Sequence, residues 1–168
     1  MTDTIGSGGH PALTDEQTGL PNRLHFDTVF EVIFATGSRG VPSTVILLEI
    51  EGFEDWAAGV ERGEIGRVLR SLASILRPVL RQTDVLARSD EARFVVCLLD
   101  CNMAGGVLVA DRIDGLLDPV RRATGLSFSM GGAVFDAEMD RPEDLLGAAE
   151  GGLRIAQGRG GDQVEFSR

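Results

Sequence analysis

The chain of 168 residues contains no lysine: all 16 basic residues are arginine. Any phosphate contact must therefore use guanidinium, a planar donor fork, rather than an ammonium point charge. Positive charge is scarce overall, since 26 acids bring the formal net charge to −10. That balance repels a phosphate backbone and excludes a generic nucleic-acid surface. Cysteine is limited to Cys97 and Cys101, and His10 and His25 lie far away in sequence. This makes a poor metal site, and one buried cysteine plus one loop cysteine is the plainer reading. No apolar run reaches the roughly 20 residues needed to cross a bilayer. The start, "MTDTIGSGGHPALTDEQ", has neither a basic n-region nor an apolar h-region. The expectations are a cytoplasmic protein without membrane contact, residues 1–14 as a flexible lead, and residues 15–168 as one domain.

What is present is a regular succession of apolar patterns. "NRLHFDTVFEVIFAT" (22–36) has helical spacing, with Gly37 as its stop. "STVILLEI" (43–50) is a continuous aliphatic run that suits a strand buried on both faces. "ERGEIGRVLRSLASILRPVL" carries one stripe of Ile65, Val68, Leu69, Leu72, Ile75 and Leu76, and Pro78 should end or kink that helix near its last turn. "DVLARS" and "RFVVCLLD" read as a hairpin, and "NMAGGVLVADRIDGLL" as a helix capped by Asn102. In the strand "GLSFSMGGAVFD", Gly131 and Gly132 permit a bulge or a close backbone approach. "RPEDLLGAAEGGLRIAQ" is a last helix and "DQVEF" a closing strand. The order β-α-β-β-α-β plus a further helix and strand predicts an α+β fold of the ferredoxin-like kind, with helices on one side of the sheet.

Charge is uneven along this pattern. From Arg67 to Arg88 five arginines meet one acid, Asp84. Such a patch can attract an anion to an otherwise repulsive molecule. A solvated helix face paired with acids elsewhere gives the same pattern.

Five segments then follow one another in register from Asp15 to Val164: "DEQTGLPNRLHF", "VILLEIEGFEDW", "RQTDVLARSDEARFVV", "SFSMGGAV" and "AEGGLRIAQGRGGDQV". They resemble, in order, the "DxLTGLPNR" lead, the first strand, the "RxxDxxxRxGGDEFxx" hairpin, the "SIGxA" strand and the closing "ADxALYxAKxxGRNxV" of GGDEF domains, the diguanylate cyclase family. The resemblance implies the nucleotidyl-cyclase-like GGDEF fold. Active members condense two GTP into cyclic di-GMP across a dimer, with metals held by carboxylates of the first strand and the hairpin turn.

Carried over position by position, the first-strand metal aspartate falls at Glu49. The signature falls at Asp90, Glu91, Ala92, Arg93 and Phe94, so acids replace both glycines, and alanine and arginine replace both catalytic carboxylates. The guanine-reading pair falls at Ala57 and Gly66, the phosphate-binding lysine at Gln157, and the arginine after it at Gly161. The resemblance therefore implies a degenerate domain that is not an enzyme, with no catalytic residue, no metal residue and no cofactor. An unusual metal cluster of Glu49, Glu51, Asp90 and Glu91 is the remaining route to residual cyclase activity.

The same resemblance assigns a product-binding site. Many members carry an inhibitory "RxxD" five residues before the signature, and Arg81 and Asp84 match it, with Arg112 matching the third arginine on the helix after the hairpin. Guanidinium can donate to guanine O6 and N7, while a carboxylate accepts from the base N–H groups. Arg77 and Arg70, further back on the preceding helix, could add phosphate contacts. Arg88 matches the arginine before the signature, with a structural role. On the other side stands a bland alternative, in which Asp84 caps a turn and Arg81 is its ion-pair partner. The expected function is a cyclic di-GMP receptor that signals through an unidentified protein partner, as a homodimer or a ligand-bridged dimer. The alternative is a nucleotide-independent interaction or dimerisation module. Trp56, beside Ala57 and Ala58, suits that alternative or simply fills the core.

Overall fold

A computed structural model describes residues 10–167. Residues 1–9 of the expected lead lie outside the described residues. His10 to Thr14 form a 3-10 turn over Pro11–Leu13 and a bridge from Thr14 to Pro21.

The first helix, α1, spans Arg23–Gly37 and begins where the Asn22 side chain accepts from the His25 N–H at 3.1 Å. Five strands follow through the chain: β1 Ser43–Glu51, β2 Val85–Asp90, β3 Arg93–Leu99, β4 Ser127–Val134 and β5 Val164–Phe166. They form one sheet in the order β2-β3-β1-β4-β5. Its first four strands are antiparallel neighbours, and β5 runs parallel to β4.

The central strand explains why there are two cores. Ile46, Leu48 and Ile50 enter one apolar cluster, while Val45 and Leu47 enter another. Helices α3 (Arg62–Leu76) and α4 (Met103–Leu116) cover the first face with Leu69, Leu72 and Ile113. On the second face, α1 and α6 (Pro142–Gly158) pack Phe26, Phe30, Leu145 and Leu153. The expectation of helices on one side thus holds only for the crossover helices α3 and α4. A strand apolar at both parities needs cover on both faces, and the flanking helices supply it.

Two glycines set the distance of α6 from the sheet. A Cβ at Gly131 would lie 2.1 Å from the Leu153 amide nitrogen and 2.3 Å from the Ala149 carbonyl oxygen. A Cβ at Gly152 would lie 2.6 Å from the Glu165 carbonyl oxygen. Helix backbone therefore rests directly on strand backbone.

Pro78 acts as expected: α3 stops at Leu76 and a 3-10 turn takes over at Arg77–Val79. Two short helices escaped the periodicity, α2 (Phe53–Ala58) and α5 (Asp118–Thr124). The first is too short to show a period, and the second is set off from α4 by Pro119. Among the described residues no helix is long and apolar enough to cross a membrane.

Candidate nucleotide-binding site

The hairpin reverses without glycine because its turn does not need one. Only Glu91 and Ala92 separate β2 from β3, and neither has a positive φ. The register shifts between Arg88 and Asp90, Asp90 Oδ1 accepts from the Glu91 N–H at 2.8 Å, and the Ile50 N–H donates to the Ala92 carbonyl at 2.9 Å. Arg88 fixes the turn from inside. Its guanidinium, 7% exposed as a residue, donates to the Glu91 carbonyl at 2.6 Å, to Gln17 at 2.6 Å and to Asp15 at 3.1 Å. A guanidinium this buried needs such partners, so the structural role expected of Arg88 is the observed one.

Behind the turn, Arg93 and Glu49 face each other across β3 and β1. Arg93 Nε donates to Glu49 Oε2 at 2.6 Å, and its Nη1 lies 3.6 Å from Glu150. Gln157 Nε2 donates to Glu51 Oε1 at 3.0 Å. In front of these pairs a cavity of about 380 Å³ is walled by Glu51, Glu54, Asp55, Asp90 and Glu91, with no cation in its lining. Among the described residues no three His, Cys, Asp or Glu side chains converge as a metal set. Ala92 offers no side-chain oxygen, its carbonyl already accepts from Ile50, and Glu49 is committed to Arg93, so these residues do not fit the paired hard cations that need several oxygen ligands each. Trp56 stacks toward Phe53, ring centroids 5.9 Å apart, and joins the core packing rather than standing free.

The RxxD pair divides its labour. Asp84, 8% exposed, accepts from the Arg81 N–H at 2.8 Å and from the Leu99 N–H at 3.3 Å. It closes the turn before β2 and ties it to the end of β3. The turn-capping role is thus present, but through the backbone of Arg81. The Arg81 guanidinium is exposed and makes no ion pair among the described residues. Arg112 is exposed on α4, one turn from Leu108 (69% exposed) and one from Leu116 (42%).

Arg70 and Arg77 stand elsewhere. With Asp84 they line a cavity of about 750 Å³ between α1, α3 and the outer strand β2, which neither Arg81 nor Arg112 lines. Three of the five expected site residues thus share one cavity, and two sit on the surface outside it. The opposite wall comes from His25 and the loop Thr18–Pro21. No sequence signal joins that loop to α3, because the two segments lie about 50 residues apart and meet only across the sheet edge.

Residues 12–163 match the family model described as diguanylate cyclase, GGDEF domain. The chain belongs to the GGDEF family. It is 32% identical over 110 residues to the probable diguanylate cyclase DgcE of Escherichia coli (strain K12), covering 64% of this chain and 9% of that one. It is 29% identical over 163 residues to the response regulator PleD of Caulobacter vibrioides, covering 91% and 36%. The chain spans less than half the length of either relative. In structure it is similar to the GGDEF domain of DgcB from Caulobacter crescentus in complex with c-di-GMP, with a TM-score of 0.81 at 20% identity over 94% of this chain and 97% of that one. It is similar also to diguanylate cyclase SiaD in complex with its activator SiaC from Pseudomonas aeruginosa, with a TM-score of 0.83 at 21% identity over 93% and 62%. The α+β GGDEF fold expected from the sequence is the observed one.

Proposed function

We propose that this GGDEF domain does not turn over GTP and instead binds cyclic di-GMP, with Arg81 and Arg112 as its guanidinium ligands and Asp84 fixing the turn that carries Arg81. The observation that carries the non-catalytic half is the Arg93–Glu49 ion pair, which sets a cation where the resemblance expects a second carboxylate. A triphosphate approaching Asp90 and Glu91 meets repulsion there, with no lysine to offset it. The receptor half is supported by two exposed arginines that make no ion pair among the described residues, Arg81 before β2 and Arg112 on α4, in a chain of net charge −10, and by a structural neighbour's GGDEF domain in complex with c-di-GMP. Arg70 and Arg77 belong to a separate wall and are not counted in this site.

The test is calorimetric titration of the chain with cyclic di-GMP, beside Arg81→Ala and Arg112→Ala. Both side chains are exposed, so each variant should stay folded, with stability within about 0.5 kcal/mol of the parent. Each should weaken binding at least about tenfold, the equivalent of ~1.4 kcal/mol. Absence of binding by the parent chain at tens of micromolar ligand removes the receptor reading.

One observation favours a second reading, the nucleotide-independent interaction module. Leu108 and Leu116 flank Arg112 as exposed apolar side chains on one face of α4. On this reading a Leu108→Asp change abolishes self-association or partner capture, and cyclic di-GMP has no effect on either.

A further inference from the structure

The far end of β4 has an open edge. β5 stops at Phe166, opposite Gly132, and the Ser167 N–H then donates to the Gly132 carbonyl at 2.8 Å. β4 runs on to Val134. On its other side the Phe135 N–H donates to the Ser43 carbonyl at 2.9 Å, so Phe135 faces β1. Backbone groups alternate sides along an antiparallel ladder. The Val134 N–H and C=O therefore turn away from β1, toward the line that β5 has left, and neither finds a backbone partner among the described residues. Phe128 to Ala133 are buried, whereas Val134 is only partly so. Val134 and Ser167 both line a cavity of about 540 Å³, into which this unpaired edge opens.

The cavity straddles the end of the sheet. Met103, at the start of α4, walls one side, and Phe135 and Met139, which pack against the second core, wall the other. All three are partly exposed. Methionine is unbranched and polarizable, and it moulds to apolar groups of differing shape.

The rim carries charge of one sign. Asp136 and Glu138 are exposed and make no ion pair among the described residues. Asp144 lies at the back, spending its carboxylate on the Arg141 and Asp140 N–H groups. No arginine lines the cavity. From Asp136 to Asp144 five acids stand against Arg141 alone, and that guanidinium is 3.6 Å from Asp144.

From this geometry we infer that the open end of β4 is a docking site for an extended segment of a partner protein with alternating basic and apolar side chains. The segment continues the line of β5, and one of its residues exchanges N–H···O=C bonds with Val134. A helix satisfies its own backbone and would leave that pair unused, so the occupant is extended. Its apolar side chains meet Met103, Phe135 and Met139, and its basic ones meet Asp136 and Glu138. The same acids repel an acidic peptide, a phosphate backbone and an anionic membrane. Arg81, Arg112, Leu108 and Leu116 do not line the cavity, so this surface is distinct from those of both readings above.

The test titrates the whole chain, without nucleotide, with a blocked hexapeptide of alternating arginine and valine, beside one of alternating glutamate and valine. The arginine peptide should bind and the glutamate peptide should not. Asp136→Asn/Glu138→Gln should weaken binding about tenfold or more, while Glu16→Gln/Glu61→Gln, which removes two exposed acids elsewhere, should change it by less than about twofold. Hydrogen exchange of the Val134 amide, followed by NMR, should slow when the arginine peptide is bound. Thermal melts of the unliganded variants check their fold. The inference is overturned if the arginine peptide fails to bind at millimolar concentration, or if the glutamate peptide binds equally well. Equal weakening by the two double variants overturns it too, since attraction to overall charge would then suffice. So does binding that leaves the Val134 amide exchanging at its free rate. Cyclic di-GMP is absent throughout, so the receptor reading stands or falls in its own titration.

Discussion

Arg93 Nε lies 2.6 Å from Glu49 Oε2, directly across the β3–β1 ladder, with 29% and 23% of the two side chains exposed. Partial exposure keeps such a pair modest, and Arg93→Ala should cost no more than about 1 kcal/mol in urea melts. Its larger consequence is chemical. Restoring both carboxylates with Ala92→Asp/Arg93→Glu sets three acids together, which should lower stability in a chelator and raise it when manganese is added. Saturation at ~100 times the dissociation constant contributes about 2.7 kcal/mol, a shift of several degrees in Tm. The parent chain should show no such shift and should make no cyclic di-GMP from GTP with magnesium or manganese. Metal-dependent product from the parent chain would end the non-catalytic reading.

The contact of α6 with β4 gives a sharp contrast between two glycines. Gly131→Ala must displace helix backbone that leaves 2.1 Å of room, and should cost about 2 kcal/mol or more. Gly147→Ala lies on the same helix with nothing within 4 Å of its Cβ, and should stabilise by up to ~1 kcal/mol. Denaturant midpoints of the two variants should move in opposite directions.

Much of this fold was legible because apolar periodicity and capping residues are local. Asn22 and Asn102 cap the helices that the pattern places after them, and Pro78 ends α3 where a proline must. The two-sided cover of the sheet was less legible, although the unbroken aliphatic run of β1 carried the signal. At the site, the resemblance to the family signature located Ala92 and Arg93, but only the β1–β3 pairing reveals that Arg93 neutralises Glu49. Asp84 is similar: its bond to Leu99, 15 residues on, depends on where β3 ends. The cavity of Arg70 and Arg77 was hidden because three separated segments build it.

The start of α6 has a pH signature. Asp144 Oδ2 accepts the N–H groups of Arg141 at 2.9 Å and Asp140 at 3.0 Å. The Arg141 backbone bond first, then that of Asp140, holds this carboxyl below its ordinary range. A folded value below the unfolded one means stability present at neutral pH and lost as the pH falls through the folded value. Asp144→Asn should therefore melt lower than the parent at pH 7, with the gap closing on acidification through the carboxylate range. A gap that stays constant with pH would contradict this.

The two cysteines should separate cleanly in a thiol assay. Burial, then the nearby Asp84 charge, pushes the Cys97 thiol far above its ordinary value. Burial also raises Cys101, but that side chain is only partly covered. Thiolate is the reactive form, so the native chain should release one equivalent slowly with a disulfide reagent near pH 8. That rate should climb with pH, and the second equivalent should appear only on denaturation. Two fast equivalents from the native chain would refute the burial of Cys97.

Arg88 joins three partners from two distant stretches of chain: Asp15 and Gln17 at the beginning of the domain, and Glu91 at the hairpin tip. A pull on the leading loop is thereby transmitted to the tip by a single rigid strut, bypassing the apolar interior. Mechanical load applied at one end of this domain would be felt first at the other side of that strut.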